Sequence, residues 1–126
     1  MNRAEALLGI RPEVETQINS EISPSEAFQN NTLRPILKFQ NNLFIYLFRN
    51  SKSLAKINFD KKDVNGKKTI ITDIMKNDQK LKDQIEASVF SLMTVSELEF
   101  YFENRSEIKR RINTMVNERL IDNLAG

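Results

Sequence analysis

The chain has 126 residues, of which 40% are hydrophobic and 29% charged, and its 19 basic and 17 acidic side chains leave a formal charge of +2. That size and balance suit one globular domain that buries roughly two-thirds of its unfolded surface, and they argue against a disordered chain or one built on phosphate contacts. The absence of Cys and His excludes disulfides, thiolate catalysis and zinc–thiolate sites, and removes the commonest general base and metal ligand.

Three Gly and three Pro are too few for a protein of tight β turns. They predict an all-α fold, an irregular bundle of five or six helices in a single domain, joined by polar loops. The apolar stretch within the first thirteen residues is too short for a signal peptide. The longest apolar run, Leu43 to Phe48, is far short of the roughly 20 residues that span a bilayer. The expected location is therefore the cytoplasm, with no membrane contact.

Residues 1–11 read as a frayed helix or tail ahead of a bundle domain over 12–126. From Pro12, the spacing of Val14, Ile18 and Ile22 fits one helical face, although it also fits alternation with charged neighbours. Ser23-Pro24-Ser25-Glu26 combines an N-cap serine, a proline at the first helical position and a glutamate at the third, so a helix starts at Pro24. Pro35 inside a continuous helix would lose a hydrogen bond and clash with the preceding turn, at about 3 kcal/mol. A new helix capped by Thr32 would avoid that cost. The expectation is a short helix to about Asn30, a kink, and a long helix from Leu33 to about Ser53.

On that long helix Leu33, Ile36, Leu37, Leu43, Phe44, Leu47 and Phe48 share one face, and Phe39 and Tyr46 widen it to an arc of roughly 200°. So broad an arc predicts cover on two sides, either as the central helix of the bundle or against a second subunit. Ile57 to Lys68, polar and containing Gly66, reads as the main loop. Ile70, Ile71, Ile74 and Met75 mark a short helix ending near Asn77, and Leu81, Ile85, Val89 and Leu92 mark the next. Thr94-Val-Ser-Glu97 is a second capping box. The last helix, capped at Asn104 or Ser106, carries Ile108, Ile112, Met115, Val116, Leu120 and Leu124 at a 3.6-residue period.

Four features could carry chemistry or binding. Gln40 projects from the middle of the apolar arc. It is either the polar anchor of a pocket with Arg34 and Tyr46 near its rim, or an amide satisfied by neighbouring backbone or a buried water. Phe39 and Tyr46 mark a candidate self-association face. Arg105, Lys109, Arg110 and Arg111 form a basic patch that could follow a helix-turn-helix into a major groove. The bland alternative is a solvated face paired with nearby carboxylates, as Glu107 with Arg111 at i,i+4. Glu97, Glu99, Glu103 and Glu107 lack the histidines that carboxylate-bridged metal bundles add, so no metal or cofactor is expected. No nucleophile elbow, phosphate-binding loop or dinucleotide fingerprint is present, so no catalytic residue is assigned.

The stretch from Glu26 through Thr32-Leu-Arg-Pro-Ile-Leu to Leu43 resembles the start of a family of small, uncharacterised, all-helical bacterial proteins. The stretch from Thr94 through Arg105-Ser-Glu-Ile-Lys-Arg-Arg-Ile to Glu118-Arg-Leu is similar to that family as well. The resemblance covers most of the chain from about Thr16. Members sometimes carry the label glyoxalase, a chemistry built on βαβββ modules with His and Glu holding a metal. No residue of that kind carries over to a helical chain without histidine. The leading expectation is a non-catalytic interaction protein forming a homodimer, and the alternative is a small-molecule binder or an enzyme with an interhelical pocket. A third reading, binding of nucleic acid, rests on the basic patch.

Overall fold

The computed structural model describes residues 2–14 and 22–126, and every regular element among them is helical. Helix α1 (Arg3–Ile10) is capped by Asn2, whose side chain accepts from the Glu5 amide at 2.8 Å, and none of its residues is buried. Pro12 to Val14 are not helical. The rest of the segment expected to form a helix through Ile18 lies outside the described residues.

Helix α2 (Pro24–Phe28) begins where the capping serine predicts, with Ser23 Oγ accepting from the Glu26 amide. The kink expected near Asn30 does not follow. Gln29–Leu33 instead form a single π-helical turn that leads directly into α3 (Arg34–Phe39), and the Arg34 amide reaches the Gln29 carbonyl. A π turn is wider than an α turn, which relieves the clash between the Pro35 ring and the carbonyl one turn earlier. Thr32 is therefore inside the helix rather than capping it, and its hydroxyl donates to Glu97 at 2.8 Å.

The expected long helix breaks at Gln40 (φ −91°, ψ 5°), and α4 (Asn41–Arg49) ends before Ser53. Behind it comes a 3-10 turn (Phe59–Lys61). Helix α5 (Val64–Asn77) then starts inside the predicted loop, because Asp63 caps it by accepting from the Gly66 amide at 2.7 Å. Glycine suits this position, since a Cβ there would sit 2.9 Å from Asp63 Oδ1 and 3.2 Å from Lys62 Cβ. Helices α6 (Gln79–Phe90) and α7 (Val95–Glu103) follow, and α7 opens with the predicted capping box, complete in both arms between Thr94 and Glu97.

The centre of the fold is α8 (Arg105–Leu124), not the stretch around Phe44. It packs against α4, α5, α6, α7 and the π turn. Its Ile108, Ile112, Val116 and Leu120 form one buried stripe at four-residue spacing. At about 30 Å it is long enough for different neighbours to cross that stripe at different heights. Leu33 from the π turn, Ile36 and Leu37 from α3, Phe44 and Phe48 from α4, Ile71 from α5 and Ile85 from α6 are all fully buried in the same cluster. No helix among the described residues is long and apolar enough to cross a membrane.

Candidate functional site

The wide apolar arc on α3 and α4 divides between core and surface. Leu33, Ile36, Leu37, Phe44 and Phe48 turn inward, while Phe39 (48% exposed), Leu43 (37%) and Tyr46 (65%) stay at the surface. Sequence spacing puts Leu43 on the inward face, and the structure leaves it at the surface beside Phe39 and Tyr46. These three residues, four and then three positions apart, form one stripe along the bent α3–α4 pair.

Gln40 points the other way. Its Nε2 donates to the Ser88 carbonyl at 3.0 Å, in the last turn of α6. Helix ends leave carbonyls without intrahelical partners, and three carbonyls at and just beyond the end of α6 accept from distant side chains. Besides Gln40, Arg3 donates to the Ser91 carbonyl at 3.0 Å and Arg11 to the Leu92 carbonyl at 2.9 Å. The two cations also suit the negative end of the helix dipole. Gln40 thus joins α6, while Arg34 lines a groove against α8 and Tyr46 faces outward, so each of the three has a different setting.

The basic patch divides. Arg105 and Lys109 lie 3.5 and 3.2 Å from Glu86, a buried carboxylate that also accepts the Tyr101 hydroxyl proton. Burial, and then this bond to the Glu86 charge, push the Tyr101 phenol pKa well above its usual range. Arg111 turns toward the π turn, donating to Gln29 at 2.7 Å and to Glu107 at 3.0 Å. That pairing, followed by the Ser25 hydroxyl, holds the Glu107 carboxyl below its usual value. Arg110 lies in the groove beside Arg111. The patch therefore meets carboxylates on two sides.

Two arrangements have no simple signature in the sequence. In the first, Arg11 forms a bidentate pair with Glu97 at 2.7 and 2.5 Å, and both side chains are largely buried. Burial alone would raise the Glu97 pKa. The Arg11 hydrogen bonds, the Thr94 amide and the Thr32 hydroxyl outweigh it and bring the value down to about 2. A lone arginine beside Pro12 offers no spacing to its partner 86 positions away. Glu97 is committed to this pair, and among the described residues no three His, Cys, Asp or Glu side chains are placed to hold a metal ion.

The second is a long groove between the π turn with α3 and the outer face of α8. One lobe, about 390 Å³, is bounded by Gln29, Arg110, Arg111 and Thr114, and the other, about 340 Å³, by Arg34, Arg119, Asp122 and Asn123. Met115 and Glu118 belong to both. Of the residues marked in the sequence as pocket candidates, only Arg34 lies here. Comparison with known proteins adds nothing to this geometry: no protein-family model, no curated protein and no solved structure matches the chain.

Proposed function

We propose that this chain is a non-catalytic helical interaction protein that self-associates as a homodimer through the stripe of Phe39, Leu43 and Tyr46. What supports the reading is the exposure of two aromatic rings and a leucine on one line, when Leu33, Ile36, Leu37, Phe44 and Phe48 of the same arc are buried. Aromatic anchors of this kind dominate the energetics of protein interfaces, and tyrosine combines an apolar ring with a polar tip. Gln40 lies at the bend between α3 and α4, the two helices that carry the stripe. Its side chain is fixed on α6, so the bend is part of the packed fold.

The test is a Phe39→Lys, Tyr46→Lys double variant, which places charge on the stripe without touching a buried residue. Its circular dichroism should match that of the parent protein, while the dimer dissociates at least about tenfold more readily, as expected when interface anchors are replaced. A variant that dimerises as well as its parent would put the interface elsewhere.

A further inference from the structure

We propose that the lobe between Arg34 and Arg119 binds a small anion carrying a carboxylate or a phosphate group. The case begins with the donors of Arg119. A guanidinium offers five N–H groups. Among the described residues Arg119 places one of them, Nη1, on Asn41 Oδ1 at a long 3.3 Å. No carboxylate among the described residues lies within ion-pairing distance of it. The side chain is nevertheless half-buried at the wall of a concavity, where a charge without a partner is costly.

The second observation is what stands opposite. Arg34 lines the same lobe from α3, which brings two like charges together across two helices. Burial, and then the Arg34 charge, lower the pKa of Arg119, and only Asp122 works against that. Arg34 keeps interactions of its own, so Arg119 supplies the open donors and Arg34 adds positive field. The third observation is the order of charges from floor to rim. Arg34, Met115 and Arg119 are half-buried, whereas Glu118, Asp122 and Asn123 are exposed. The cations lie inside and the carboxylates outside.

Such a floor suits planar or tetrahedral oxyanions, to which a guanidinium donates two parallel bonds. The lobe, about 340 Å³, is within the range of small-molecule sites. Met115 gives it one apolar contact surface, and the neighbouring lobe with Arg110 and Arg111 leaves room for a longer ligand.

The experiment is an amide and arginine side-chain NMR titration of the full chain at fixed ionic strength, with inorganic phosphate and succinate as separate probes and chloride as the balance. Saturable shifts at Arg119, Asn41 and Arg34 with either probe support the site, and the better probe identifies the ligand as a phosphate or a carboxylate. Arg119→Gln, which keeps the bond to Asn41 within reach, should weaken binding by roughly tenfold or more, as expected on loss of a charged donor pair. If Arg119→Gln does not fold, Arg34→Gln and the shift map of the parent protein carry the same test. Shifts that track chloride equally, no saturation in the millimolar range with either probe, or unchanged binding in the foldable variant would each overturn the proposal.

Discussion

Single residues hold this fold together where helix ends meet. The Arg11–Glu97 pair fastens the N-terminal helix to the start of α7, and Arg11 also covers the Leu92 carbonyl just after α6. Because the Glu97 pKa falls from 4.5 to about 2 on folding, its contribution is fully present above pH 4.5. It is lost as the pH drops toward 2, where protonation of the carboxylate breaks the pair. Allowing for solvent screening of a partly accessible group, the contribution is about 1–2 kcal/mol. Acid titration of stability should therefore show a component between about pH 4.5 and 2 that disappears in Glu97→Gln, together with a lower plateau at neutral pH. An unchanged acid limb in that variant would remove Glu97 from the explanation. Gln40→Leu, judged on burial alone, should be neutral. The bond to the Ser88 carbonyl predicts a loss of about 1 kcal/mol instead, measurable by urea unfolding, and a gain in stability would contradict the capping role. Neither partner could be read from the sequence, since both lie in distant turns.

At the scale of elements, local signals were legible wherever a side chain acts on its own backbone. Ser23 and Thr94 open helices where their capping patterns say they should. The π turn was not legible, because the same Pro35 allows either a restart or a widened turn, and only the packing of Thr32 against Glu97 decides between them. Gly66 misled in the same way. Near a helix start it marks room beside the Asp63 cap rather than a loop. Periodicity gave equal weight to Leu43 and Ile112, and the structure separates them: Leu43 is 37% exposed on the bend, while Ile112 is 1% exposed at the centre of α8. Ile112→Ala should cost roughly 2–5 kcal/mol and Leu43→Ala less than about 1 kcal/mol in denaturant unfolding of the monomer. Equal losses would mean that α8 is not the hub.

For the whole molecule, the all-α class followed from composition and period. The centre of the bundle did not, because a broad apolar arc predicts cover on two sides without saying whether the second cover is the bundle or another subunit. The arc around Phe44 combines a core part, with Ile36, Leu37, Phe44 and Phe48, and the exposed Phe39–Leu43–Tyr46 stripe along its edge. The candidate site was thus half legible. Phe39 and Tyr46 stood out by position, whereas Arg119 stands out only once α3 and α8 are seen to face each other across a groove. Sedimentation equilibrium of the unmodified protein from low to high micromolar concentration tests the self-association reading most directly. A fit to a reversible monomer–dimer equilibrium, shifted to monomer by the Phe39→Lys, Tyr46→Lys variant, is the predicted result. A single monomeric mass across the whole range would contradict it.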